Sequence, residues 1–312
     1  MNNSIKISLS LISLLFLSCA SGVLKDANSL YDSGEYKAAV KSLNTIIENT
    51  PENADAHLLL GKTLQAQGKS SSAFEEFKIA NKLAPNNKDA ASALQRYYAD
   101  DGGEKLAAGK IEEAISLYNR AHKLDESDSE TSLGLANALI KFGLLTKAEG
   151  RLDKVSGFKE EVNKNRTQIE KQKKIASTAF TKGKKAYDKG QYSSAKKHMD
   201  KAIMNNRDDN DIKYYSYMSN GLFLYKKGSR WQIWDAIVEF GKAAAVNPLS
   251  AEANYYQALG YLKKDDKDFD NILSFYEKAL ELDVDGKFSS EIKKGLKKQR
   301  QRKKVLDEFW GK

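Results

Sequence analysis

Cysteine is almost missing from this chain: among 312 residues only Cys19 carries a thiol. A single cysteine excludes an intramolecular disulfide and a thiolate metal cage. Proline is nearly as scarce, with three in the whole length, which leaves long helices uninterrupted. Histidine occurs three times, as His57, His122 and His198, each in a separate helical pattern with no second ligand at turn or helix spacing. No metal site and no cofactor are therefore expected. The sequence also lacks a phosphate-binding loop, a nucleophile elbow and an HExxH pair. The paired carboxylates Glu75-Glu76, Glu112-Glu113 and Asp265-Asp266 read as solvated charge, so an enzyme is not expected.

What is present is packable and charged. Hydrophobic residues make up 41% and charged residues 30%, a balance that suits a folded chain, and an all-α one given so little proline. The formal net charge of +9 is uneven. Residues 20–158 hold 17 Lys and Arg against 20 Asp and Glu, whereas residues 159–312 hold 33 against 22. The basic field belongs to the second half.

Residues 1–18 carry Lys6 and then an apolar stretch from Ile7 to Leu17 broken only by serines. That stretch is too short to span a bilayer and matches the apolar region of a signal peptide. Ser18-Cys19-Ala20 follows, and it resembles the lipobox of bacterial lipoproteins, although Phe16 and Leu17 depart from the strict pattern. The resemblance makes Cys19 the acylated first residue of an exported, membrane-anchored chain, its sulfur forming the thioether to lipid. Cleavage near Ala20 or Ser21, as in an ordinary secreted protein, is the other reading of the same residues.

Two stretches align at a fixed period. "GEYKAAVKSLNTIIENTP" and "GKSSSAFEEFKIANKLAP" place Gly34 on Gly68, Ala39 on Ala73 and Pro51 on Pro85, each 34 residues apart. Leu60-Gly61, Leu64, Gly68, Ala73, Phe77, Ala80 and Pro85 form a pattern that resembles the tetratricopeptide repeat. Further copies carry Gly109, Ala114, Tyr118 and Ala121, then Ala148, then Gly183, Gly190, Tyr192, Ala195 and Ala202. Gly221, Ala236, Phe240, Ala243 and Pro248 mark another, with about three extra residues around Trp231 assigned to its turn, and Tyr256, Gly260, Tyr276 and Ala279 mark the last. All three prolines, Pro51, Pro85 and Pro248, occupy the slot that closes a second helix. The resemblance implies an all-α tetratricopeptide-repeat α-solenoid of about seven helix-turn-helix repeats.

The period breaks twice. "YYADDGG" adds seven residues before Ala114, and "FKEEVNKNRTQIEKQKKIASTAF" adds about a dozen that read as a long helix joining two sub-arrays. The final segment aligns Phe288, Ile292, Leu296, Leu306 and Trp310 at helical spacing, as a capping helix requires. The expected organisation is a signal peptide over 1–18, an N-terminal array over 19–158, a linker helix with a C-terminal array over 159–286, and a basic amphipathic cap over 287–312.

For function, the resemblance implies a concave groove lined by first helices that binds a partner protein in the cell envelope. Its groove-facing slots fall on Asn28, Tyr31, Phe180, Lys184, Tyr187, Tyr215, Met218, Tyr225, Lys226, Gln257, Tyr261 and Lys264. In the second half this set is aromatic and basic, suited to a segment with acidic and apolar groups. The carboxylate clamp of chaperone-binding relatives is not expected, because Leu24 and Leu59 stand where its polar members would be. The basic run Lys293–Lys304 reads as a solvated face or a contact with anionic headgroups, and no nucleic acid is expected for an exported chain. The main reading is a lipid-anchored scaffold of a membrane-associated assembly. A subunit that holds and delivers a small hydrophobic molecule, or an accessory protein of a cell-wall or secretion machine, stays open as an alternative.

Overall fold

One hydrogen bond closes turn after turn. The backbone N–H of Glu35 donates to Leu30 O, Lys69 to Leu64 O, Lys110 to Lys105 O, Leu144 to Leu139 O and Gln191 to Ala186 O, all at 2.9–3.0 Å. Each is the six-residue bond that satisfies the last carbonyls of a helix. It requires the residue before the donor to take a positive φ, and Gly34, Gly68, Gly109, Gly143 and Gly190 do so at +69 to +89°. These five glycines of the repeat pattern are thus turn residues, whereas Gly61, Gly183, Gly221 and Gly260 lie within helices.

The computed structural model describes residues 22–283 and 286–311. Within them the chain runs through α1 (22–32), α2 (Tyr36–Asn49), α3 (Ala54–Ala66), α4 (Ser70–Leu83), α5 (Lys88–Ala107), α6 (Ile111–Leu124), α7 (Ser129–Phe142) and α8 (Leu145–Leu152). It continues through α9 (Lys159–Asp188), α10 (Tyr192–Asn205), α11 (Asn210–Lys227), α12 (Arg230–Val246), α13 (Ala251–Lys264), α14 (Phe269–Leu282) and α15 (Ser289–Phe309). No strand occurs among the described residues. Seven helical hairpins and a final helix make up the all-α solenoid that the repeat pattern implies.

New hairpins start by a second local rule. Asn53, Asn87, Asp128, Asp209 and Ser250 each precede a first helix, and their side-chain oxygens accept the N–H of Ala56, of Asp89 and Ala90, of Thr131, of Ile212 and of Ala253. Such caps stabilise a helix start by about 1 kcal/mol each. Second helices instead begin three residues before a fully buried alanine: Tyr36 before Ala39, Ser70 before Ala73, Ile111 before Ala114, Leu145 before Ala148 and Tyr192 before Ala195. The small side chain lets the paired helices approach closely.

The chain divides into two compact units, one formed by residues up to Ala138 with Arg151–Phe158, the other by Leu139–Gly150 with Lys159 onward. In the first, Leu43, Leu60, Phe77 and Leu94 anchor a continuous core. A Cβ on Gly61 would lie 2.5 Å from the Phe77 ring, so glycine is what lets that ring settle between α3 and α4. Full burial of a phenylalanine contributes about 1.5–3 kcal/mol. His57 ties the same hairpin together: Nδ1 meets Glu76 Oε2 at 2.6 Å and Nε2 meets Pro51 O at 2.9 Å. The inserted "YYADDGG" does not break a helix but lengthens one, giving α5 its 20 residues.

The second unit repeats the scheme, with Phe240 lying against Gly221 as Phe77 lies against Gly61. The polar insertion before it forms the first half of α9, a helix of 30 residues whose Ile169, Ala176 and Ala179 are buried. Two expectations are corrected here. The extra residues near Trp231 are not in a turn: Gly228 and Ser229 alone connect α11 to α12, and α12 begins six residues before its buried Ala236 instead of three. At the C-terminus, Ile292 and Leu296 pack on Tyr276 and Ala279, but Trp310 is 71% exposed. The reason is length, since α15 has 21 residues and α14 has 14, so the last two turns of α15 extend past the helix they follow. Much of the basic run pairs with carboxylates, Arg300 with Glu277 at 2.7 Å, Arg302 with Asp266 at 2.5 Å and Lys303 with Asp270 at 3.0 Å.

Candidate functional site

Ten of the fifteen tyrosines lie after residue 158. Hairpin geometry collects them, because α9, α11 and α13 are the first helices of three successive hairpins and present the same face. Phe180 meets Tyr215 at a centroid distance of 5.7 Å, Tyr215 meets Tyr187 at 5.3 Å, and Tyr187 meets Tyr192 at 5.7 Å. Further along, Tyr225 lies 6.5 Å from Tyr256, which also approaches Phe288 at 6.3 Å. Most pairs are edge-to-face, the arrangement that ring quadrupoles favour.

Lysines lie over these rings. The Lys184 ammonium is 5.0 Å from the centre of Tyr215, Lys226 is 4.6 Å from Tyr192, and Lys263 is 4.6 Å from Tyr225. Each contact is a cation-π attraction that also holds the lysine stem against the aromatic face. Lys226 and Lys263 in addition donate to the carbonyls of Gly190 and Tyr225, at 3.3 and 3.0 Å, which ties neighbouring turns together.

One carboxylate sits beneath this layer. Glu252, in the first turn of α13, accepts the Tyr187 hydroxyl on Oε1 at 2.9 Å and the Tyr214 hydroxyl on Oε2 at 3.4 Å. Tyr214 also shares a 2.7 Å hydrogen bond with Ser250, the cap of α13. Burial holds the Glu252 carboxyl above its ordinary range, against the opposing pull of the Tyr187 hydrogen bond and Lys287. Burial and the neighbouring carboxylate push the Tyr187 hydroxyl up, and burial does the same to Tyr214 and Tyr256. Tyr276, buried under the same rings, is pushed up to about 12. All four remain neutral donors, suited to positioning and unsuited to proton transfer.

Six of the expected groove residues are thus brought together: Phe180, Lys184, Tyr187, Tyr215, Tyr225 and Lys226. Tyr187 is buried, as are Met218 and Gln257, so these support the face from beneath instead of lining it. Tyr261 stacks on Phe275 at 5.4 Å, and Lys264 bridges the Tyr261 and Trp234 rings at 5.8 and 4.4 Å. Asn28 and Tyr31 belong to the first unit. Asn28 donates to Asp32 at 2.8 Å and borders a hollow of about 420 Å³ with Leu24, Asp55 and Lys62, while Tyr31 packs on Tyr36 at 5.9 Å. Leu59 is buried and apolar in that unit.

Sequence reading missed Glu252, Tyr192, Tyr214, Tyr256 and Phe288. The doublets Tyr214-Tyr215 and Tyr255-Tyr256 were a signal, since adjacent helix positions point about 100° apart and two neighbouring rings reach two different sides of a first helix. Glu252 reads from sequence as an ordinary first-turn acid at a helix N-terminus. No group of three or more metal-ligating side chains and no helix long and apolar enough to cross a membrane occurs among the described residues.

The chain is similar over much of its length to TPR repeat-containing protein MJ1428 of Methanocaldococcus jannaschii, 26% identical over 283 residues, which cover 90% of this chain and 46% of that one. It is 23% identical over 278 residues to DnaJ homolog subfamily C member 3 of Rattus norvegicus, covering 86% of this chain and 54% of the relative. The chain therefore spans about half the length of each. Among solved structures it is similar to the TPR2AB-domain:pHSP90 complex of yeast Sti1, at 15% identity and a TM-score of 0.37 over 91% of this chain and 99% of that one. Family models described as TPR repeat or tetratricopeptide repeat match residues 27–68, 105–160 and 253–283. Those matches fall on both halves of the chain, and over these spans the chain carries tetratricopeptide repeats.

Proposed function

We propose that this chain is an exported, lipid-anchored protein of a bacterial envelope whose second unit holds a segment of a partner protein and so scaffolds a membrane-associated assembly. The observation that carries the partner site is the layer of rings on α9, α11 and α13, joined by Tyr192 at the start of α10 and capped by Lys184, Lys226 and Lys263. Repeat arrays use their first-helix face for extended recognition surfaces. Here that face offers aromatic area at little entropic cost and cations that favour an acidic, apolar segment. The export and anchoring part rests on the apolar stretch Ile7–Leu17 and on Cys19 after Ser18, which lie outside the described residues.

The test is recovery of cross-linked proteins from whole envelopes with the wild type and with a Phe180→Ala, Tyr215→Ala, Tyr261→Ala variant whose helicity is first verified. These three rings lie outside the hydrogen bonds of Glu252, so the variant spares the buried support. A protein recovered with the wild type and lost with the variant names the partner. Equal recovery, or none, overturns the groove assignment, and a small hydrophobic molecule seen in native mass spectra would then favour ligand delivery.

A further inference from the structure

The three residues added at the start of α12 form a turn with no counterpart in α2, α4, α6, α8 or α10, each of which begins three residues before its buried alanine. At 1.5 Å per residue the addition lengthens α12 by about 4.5 Å. It carries Arg230 and Trp231. Trp231 is 82% exposed, Trp234 is 43% exposed and Val238 is also open, an i, i+3, i+7 stripe on one face of α12. The opposite face, Ile233, Ala236, Ile237 and Phe240, is buried. The helix therefore has two apolar faces, and only one is used for packing.

Charge beside the open face is mostly of one sign. Arg230 and Lys264 border, with the two indoles, a hollow of about 570 Å³, and the Lys264 ammonium is 4.4 Å from the Trp234 ring. Lys227 lies over Phe223 at 4.5 Å on the preceding helix end. Of the carboxylates nearby, Asp266 pairs with Arg302 and Asp265 accepts the Lys267 N–H, leaving Asp235 as the acid next to Trp234 on α12. An indole exposed on the added turn and a second one just beyond it, with Lys264 over one ring and Arg230 beside the hollow, have the chemistry of a water–bilayer boundary. There an indole sits at headgroup level and a long cation reaches phosphate.

We propose that this tip, Arg230, Trp231, Trp234 and Lys264, is a docking surface for an anionic phospholipid bilayer, distinct from the ring layer around Glu252 and independent of acylation at Cys19. The indoles enter the headgroup layer, and Arg230 and Lys264 pair with lipid phosphates. Charge complementarity favours an anionic bilayer, because Arg230 and Lys264 flank the two indoles and a headgroup layer can meet all four side chains at once.

The chain has three tryptophans, so a full chain carrying Cys19→Ser and Trp310→Phe reports from Trp231 and Trp234 alone. It is mixed with phosphatidylcholine vesicles with or without phosphatidylglycerol, in bromine-labelled and unlabelled forms. The apolar stretch Ile7–Leu17 favours vesicles by itself, so indole emission decides and sedimentation does not. The expected result is a blue shift and bromine quenching that need phosphatidylglycerol, weaken with salt, and fall about tenfold in apparent affinity when Arg230→Glu and Lys264→Glu are added. Unshifted emission on vesicle-bound chain overturns the proposal. So does a shift that appears only when a protein fraction is added, which would assign the tip to a protein partner.

Discussion

Tyr187 donates its hydroxyl to Oε1 of Glu252 at 2.9 Å although 65 residues separate them in the chain. The bond joins α9 to α13 across the intervening hairpin, so alternate first helices converge on their shared face. Tyr187→Phe removes one donor from a buried carboxylate, and hydrogen bonds to charged groups contribute about 1.5–3 kcal/mol. Urea unfolding of the variant is expected to show a loss in that range. A midpoint equal to that of the wild type would mean that α9 and α13 are not held by this bond.

Glu252 also sets a pH dependence. Its folded-state pKa lies above the ordinary value of 4.5, so folding takes up a proton at pH values where the unfolded carboxyl has already lost it. The stability supplied by that proton is complete below the unfolded value and disappears as pH rises through the folded one. The melting temperature of the wild type should therefore rise relative to that of Glu252→Gln as pH is lowered from neutrality toward the ordinary carboxyl value of 4.5. Parallel curves for the two proteins would contradict the burial of this charge.

Gly221→Ala is expected to destabilise the second unit by about 1–3 kcal/mol, because the new Cβ would stand 2.5 Å from the Phe240 ring. Combining it with Phe240→Leu should restore part of the loss, which additive effects would not do. Chemical denaturation of the two single variants and the double variant measures the difference.

Cys19→Ala tests the anchor. Detergent-phase partition should give way to the aqueous phase, since a thioether-linked lipid needs the sulfur and stable anchoring needs more than one acyl chain. Partition unchanged by the substitution would place membrane attachment elsewhere.

The repeat architecture was readable because the small residues that permit close packing keep a 34-residue spacing from Ala39 to Ala73 and from Ala114 to Ala148, and these four, with Ala195 and Ala236, are all fully buried. The site was readable only in part. Helix period alone brings Lys184 near Asp188, whereas the approach of Tyr187 to Glu252 depends on how three hairpins turn on one another, which no local pattern encodes. The repeat spacing puts Trp231 in a turn, although "KKGSRW" holds the signal for a helix start. Gly228 takes φ +77° and Ser229 caps α12 through the Gln232 N–H, a complete two-residue connection. Trp310 was placed on a packed stripe because spacing reports angle around a helix and is silent on where the neighbouring helix stops.

The recurring turn bond and the Gly61–Phe77 fit are made between residues no more than 16 positions apart. A fold encoded at such short range has little loop entropy to overcome before its contacts form. A chain threaded through a narrow passage from one compartment to another can then close its first hairpin as soon as about one repeat has emerged, and each later one can add to a finished edge. With one cysteine in the whole chain, folding of this kind depends on no oxidant in whichever compartment it takes place.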